Sequence, residues 1–136
     1  MAPDAATQKP IELILARQLA SYLAMPIFLV DAEGTLVFYN EPAERILGRR
    51  FDETGEMSAT EWASVFAPTD ETGRPLPPEK VPLMIAHAER RPVHVRMNLC
   101  GLDNVSRLIE ATAVPLIAPA GRYVGAVAIF WEAAKP

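Results

Sequence analysis

The chain has 136 residues, half of them apolar, with 17 acidic against 13 basic side chains and a net charge of −4. That is the size of one domain with a core of its own, and its scattered Lys and Arg exclude the clustered basic surface that nucleic acid requires. One cysteine excludes an internal disulfide, one cysteine with two histidines cannot build a zinc cage, and no apolar run is long enough to span a bilayer. The opening MAPDAATQ carries no charged region followed by an apolar one, so the expectation is a soluble, cytoplasmic domain.

After a small, polar tail, Pro10 suits a helix start, and Ile11, Ile14, Leu15, Gln18, Leu19, Tyr22 and Leu23 recur at three- and four-residue spacing. Leu13, Ala16 and Ala20 widen that apolar stripe, so this helix must lie on its own domain or on a second copy. Ile27–Val30 and Leu36–Tyr39 are rich in β-branched and aromatic residues and bracket Asp31-Ala-Glu-Gly34, a hairpin connection. Asn40 caps a helix with Pro42 in its first turn, Ile46 and Leu47 on its buried side and Gly48 to stop it. Residues 49–57 read as irregular. Ser58 or Thr60 then caps a short helix through Trp62, Val65 and Phe66.

APTDETGRPLPPEK is dense in turns, and Pro78 is expected to begin a helix through Val81, Met84, Ile85 and Ala88 to about Arg90. The rest reads as strands. Pro92–Gly101 alternates Val93, Val95, Met97 and Leu99 against His94, Arg96, Asn98 and Cys100, a turn follows at Asp103-Asn104, and Ser106–Ile117 and Tyr123–Glu132 form two more strands. Hairpins at both ends with helices between them give an α+β fold. One five-stranded antiparallel sheet would carry the short helices on one face and the N-terminal helix near the other.

Three blocks resemble a PAS domain, a sensor module of bacterial signalling proteins. The first is the strand pair with Asp31 and Gly34, then Asn40, Ala43 and Ile46-Leu47-Gly48; the second is Gly73-Arg-Pro-Leu-Pro-Pro-Glu79 with Pro82 and Ala86; the third runs from Arg107 to Trp131, with Pro115 and a glycine turn at Gly121. The resemblance covers about residues 12–133 and divides the chain into a flexible tail at 1–9, a flanking helix at 10–24, a PAS domain at 25–133 and a tail at 134–136. It implies signal transduction, in which a small ligand or a protein partner biases two states and so regulates an effector. A ligand-free homodimerisation or docking module is the alternative. The chain is then either a piece of a larger regulator, such as a histidine kinase or a diguanylate cyclase, or a small stand-alone protein.

An apolar ligand pocket is expected from Trp62, Phe66, Met84, Ile85 and Met97, with the small Ala111, Ala113, Ala126 and Ala128 leaving room opposite; otherwise the same residues pack a core without a cavity. No cofactor is expected. Flavin-binding LOV members of the family carry a reactive cysteine in a helical Asn-Cys-Arg-Phe-type motif, whereas Cys100 ends a strand and reads as a packing or edge residue. Haem-binding members use a histidine from the helix before the third strand. His87 is the candidate here, although it stands late in that helix and equally suits a place against the carboxyl-terminal dipole. His94 reads as a surface residue. Asp31 and Glu110 are the carboxylates that a small isomerase or cyclase would need, but one belongs to a turn and the other points outward, so the chain is read as no enzyme. A homodimer is expected through the helix Ile11–Leu23, with Leu13, Leu15 and Leu19 of two copies burying each other.

Overall fold

The structure, a computed structural model, describes residues 9–133. The tails expected at either end lie outside the described residues, except for Lys9. The first helix, α1 (Ile11–Tyr22), starts after Pro10, whose carbonyl accepts from the Leu13 and Ile14 amides. It turns only a narrow side inward: Leu13 and Ala20 are buried, while most of its large apolar residues stay exposed.

Strands β1 (Ile27–Asp31) and β2 (Leu36–Tyr39) form the expected hairpin. Asp31 Oδ1 accepts from the Glu33 and Thr35 amides, and Gly34 takes a φ of 84°, a left-handed conformation that costs a residue with a Cβ. Asn40 caps α2 (Glu41–Leu47) by accepting from the Ala43 amide at 3.2 Å, and Gly48 ends it in the left-handed conformation. The segment expected to be irregular contains one more turn, α3 (Phe51–Thr54). Its Phe51 amide donates to the Glu44 carboxylate at 2.8 Å, so the cap comes from the preceding helix and no local periodicity announces it. Ser58 and Glu61 form a capping box on α4 (Ala59–Val65).

The helix expected from Pro78 divides in two. Pro78–Lys80 is a single 3-10 turn, and α5 (Pro82–Glu89) begins only at the next proline. A proline in the interior of a helix lacks the amide and crowds the carbonyl four residues back, and the residue before it is pushed to extended backbone. Val81 accordingly sits at φ −73° and ψ 132°.

Strands β3 (Val93–Cys100), β4 (Ser106–Ala118) and β5 (Arg122–Glu132) complete one antiparallel sheet in the order β2-β1-β5-β4-β3. The last strand therefore pairs with the first, Ile27 facing Ile129 and Asp31 facing Gly125. β4 runs past the end of β3 after Val93↔Ala113, so Pro115 has a neighbour only on the β5 side, and the register slips just beyond it at Leu116/Ile117.

The sheet separates two apolar layers. On the inner face Phe28, Leu36, Tyr39, Trp62, Phe66, Met97 and Phe130 pack with α2, α4 and α5, and the Phe28 ring lies 5.6, 5.5 and 5.2 Å from those of Tyr39, Phe66 and Phe130. On the outer face Leu13 of α1 packs with Leu29 and Val37.

Candidate functional site

A cavity lies in the inner layer, between the sheet and the helices. Its helical wall is Trp62 of α4, Phe66 at the end of that helix and Leu83 of α5; its sheet wall is Met97, Ile109, Ala111 and Phe130; Pro68 and Val81 close one side. The strand alternation read from the sequence holds here, because Met97 and Leu99, and Ala111, Ala113, Ala126 and Ala128, all point inward. Ala111 and Ala128 border the space, whereas Ala113 and Ala126 are packed away in the surrounding core. The Trp62 indole, the polar handle among these rings, donates to the Gly34 carbonyl at 3.2 Å.

The cavity measures about 30 Å³. That is on the order of one or two waters, against roughly 300–1,000 Å³ for small-molecule pockets. Trp62, Phe66 and Met97 line it as expected, but Met84 and Ile85 do not. They were placed by a helix that starts at Pro78. With α5 beginning at Pro82, the residue turned into the core is Leu83. Met84 instead lines an outer groove of about 390 Å³ between α4 and residues 68–84, together with Ala63, Leu76 and Pro78. Phe28, Ile109 and Phe130 are lining residues that sequence reasoning missed. Their signal was the inward alternation of their strands, which becomes specific only once the strand order is known.

His87 lies outside the cavity, at the carboxyl-terminal end of α5. Its Nδ1 and the Tyr123 hydroxyl are 2.6 Å apart, and the Arg90 guanidinium stands 3.3 Å above the Tyr123 ring. Burial, then the Arg90 charge, lowers the His87 pKa, with Asp31 opposing; burial raises that of Tyr123. His87 does not line the cavity, and a space of about 30 Å³ is far smaller than a haem or a flavin ring system. Cys100 is half-buried at the end of the edge strand β3, within 3.6 Å of the Gly101 carbonyl. Asp31 is committed to its turn, and Glu110 meets His94 at 3.2 Å on the outer face, so neither carboxylate faces the cavity. Among the described residues there is no group of three or more metal-ligating side chains, and no helix is long and apolar enough to cross a membrane.

The residue that joins the two layers is Asn40, which is buried and fully bonded. Its Oδ1 accepts from the Ile27 and Ala43 amides at 3.0 and 3.2 Å; its Nδ2 donates to the Ala20 and Met25 carbonyls at 2.9 and 2.8 Å. One side chain thus fixes the end of α1, the start of β1 and the first turn of α2.

No protein-family model matches the chain, and no curated protein matches it. Solved structures do. The PAS domain of BvgS from Bordetella pertussis is similar over 93% of this chain and 89% of its own, at a TM-score of 0.66 and 18% identity. A LOV protein of Rhodobacter sphaeroides is similar over 93% of this chain and 70% of its own, at a TM-score of 0.70 and 14% identity. The fold is a PAS fold. A PAS domain from a two-component sensor histidine kinase is a further match, at a TM-score of 0.57 and 9% identity, covering 90% of this chain and 97% of its own. At such identities the likeness is one of fold. Within the PAS fold, the first block of sequence resemblance is β1 to α2, the second is the stretch leading into α5, and the third is β4 with β5.

Proposed function

We propose that this PAS domain is a signal-transduction domain that associates through α1 as a homodimer and passes a small-ligand or partner signal to an effector. The observation that carries the reading is the outer row of α1. Ile11, Leu15, Leu19 and Tyr22 are 61%, 55%, 61% and 87% exposed, on a helix that already buries Leu13 against its own sheet. Apolar side chains recurring at helical spacing and left to water mark an interaction site, and a second copy offers the same row in return. Leu13, expected in the dimer contact, belongs instead to the domain's own outer layer. The interface proposed is therefore Ile11, Leu15, Leu19 and Tyr22.

The effector proposed is a histidine kinase or a cyclase, and the likeness to the PAS domain of a two-component sensor kinase supports the first of these. A cytoplasmic location and the absence of catalysis go with this reading. The ligand-free docking module remains the second reading, and the nearly filled core favours it. Sedimentation of wild type and of the Leu15→Glu, Leu19→Glu double variant at high micromolar concentration tests the dimer. The wild type is expected as a dimer and the variant as a folded monomer; a wild-type monomer overturns the interface. Mass spectrometry of an extract of the denatured protein separates the two readings, since a stoichiometric apolar metabolite supports the ligand sensor and a clean extract supports the docking module.

A further inference from the structure

A cleft of about 160 Å³ separates α1 from the outer face of the sheet. Its apolar walls are Leu13 and Ile14 of α1, Leu29 of β1 and Val37 of β2, and Lys9 and Arg17 are its charged lining among the described residues. We infer that this cleft binds a small carboxylate with a compact apolar body, the body lodged beneath α1 and the carboxylate held by Arg17.

Volume and wall chemistry set the body of the ligand. An aliphatic cavity of about 150 Å³ takes benzene, so a single aromatic ring or a branched aliphatic group of that size fits here, and a long acyl chain does not. The four apolar walls offer no side-chain hydrogen bond, so water in the cleft is poorly held and an apolar group displaces it favourably. Leu13, Leu29 and Val37 are buried, whereas Ile14 is 43% exposed, and the cleft opens beside it.

Charge sets the head group. Among the described residues Arg17 makes no ion pair; its guanidinium lies over the Phe38 ring, 4.7 Å from the centroid, and 5.7 Å from the centroid of Phe51. A guanidinium that rests on rings by its face keeps the N–H groups of its edge for a bidentate carboxylate. Lys9 is already offset, at 3.9 Å from Asp31 and 3.7 Å from Glu56, and those two carboxylates would repel an anion at that end. The head group therefore belongs at Arg17, which stands one helical turn beyond Ile14 at the mouth. A molecule so placed touches α1 and both strands beneath it. Since it binds only the docked arrangement, it holds α1 against the sheet.

The inference rests on the ligand-sensor reading for its role in signalling and moves the ligand to the outer layer, but its test stands apart from that reading. The probe is benzoate at neutral pH, with benzamide as its uncharged match. Benzoate should bind saturably with a Kd on the order of 1 mM, as befits so small a molecule. It should shift the NMR signals of Leu13, Ile14, Leu29 and Val37 and slow hydrogen exchange in α1. Arg17→Gln removes one charge-assisted pair and should weaken benzoate roughly tenfold while leaving benzamide unchanged. Lys9→Gln should weaken it less than about twofold. Ile14→Trp, which fills the mouth, should weaken both ligands, and Arg17→Gln decides the matter if that variant does not fold. No saturable response, equal affinity for benzoate and benzamide, unchanged exchange in α1, or shifts confined to inner residues such as Trp62 and Met97 overturns the site. So does a larger loss with Lys9→Gln than with Arg17→Gln. Benzoate binding by a wild type that sediments as a monomer would instead sink the dimer reading and leave the site standing.

Discussion

The inner and outer layers of the sheet are built from similar residues to opposite effect. Inside, three helices and five strands close on aromatic rings 5.2–5.6 Å apart, and about 30 Å³ is left empty. Outside, one helix lies on the sheet through Leu13 and Ala20, about 160 Å³ stays open beneath it beside Leu29 and Val37, and its far side is bare. Ala16 packs against the same layer, and the other ties of α1 are polar or cationic: Glu12 to Arg122 at 2.8 Å, Arg17 over the Phe38 ring at 4.7 Å, and the Asn40 bond to the Ala20 carbonyl. A layer held this thinly can shift without unfolding the domain. The inner layer is packed on every side.

The largest expected effect belongs to the inner layer. Phe66→Ala removes a fully buried ring and should cost roughly 3–5 kcal/mol, read from the denaturant midpoint. A loss under about 1 kcal/mol would mean that the core is looser than its packing implies. Asn40→Ala comes next, at about 2–4 kcal/mol, since it removes a cap and leaves buried amides and carbonyls unpaired. Asn40→Asp sharpens the contrast. It keeps the acceptor for Ile27 and Ala43 but loses the donor to Ala20 and Met25, so hydrogen exchange should quicken in α1 while α2 stays protected. Equal loss of protection in both helices would break the assignment of Asn40 as the link between layers.

Leu13→Ala should cost about 2 kcal/mol, the lower end for such a truncation, because it borders an existing void. Exchange in α1 should rise while the inner strands keep their protection. Global loosening would show that the two layers do not part.

The smallest effect concerns His87. Burial and Arg90 hold its pKa below the ordinary 6.5, so the neutral ring is the form the fold prefers. That preference is without effect well above 6.5 and becomes destabilising as pH falls through 6.5 towards the lower folded value, because the unfolded chain takes up the proton first. The melting temperature should decline over that window, and His87→Gln should flatten the decline. An unchanged slope would locate the acid sensitivity elsewhere.

Much of this was legible from local chemistry. The hairpin followed from Asp31 and Gly34, the α2 boundaries from Asn40 and Gly48, the α4 start from Ser58 or Thr60, and the inward face of β3 from its alternation. The errors came where one local signal hid another. Pro78 is a credible helix start until Pro82 is weighed, and Met84 and Ile85, half-buried, fall outside the cavity lining while Leu83 enters it. α3 has no signal of its own, because Glu44 of the helix before it supplies the cap.

By itself, the sequence determined the kind and order of the elements, since capping, turn chemistry and apolar period act over a few neighbouring residues. Only the tertiary structure decided that β5 would insert beside β1, that Asn40 would reach back to Ala20, and that Leu13 would be spent inside while Leu15 and Leu19 were left to water. The same holds for the size of the cavity. Volume is what remains when side chains from distant segments meet across the sheet, and no local pattern records how closely they will pack.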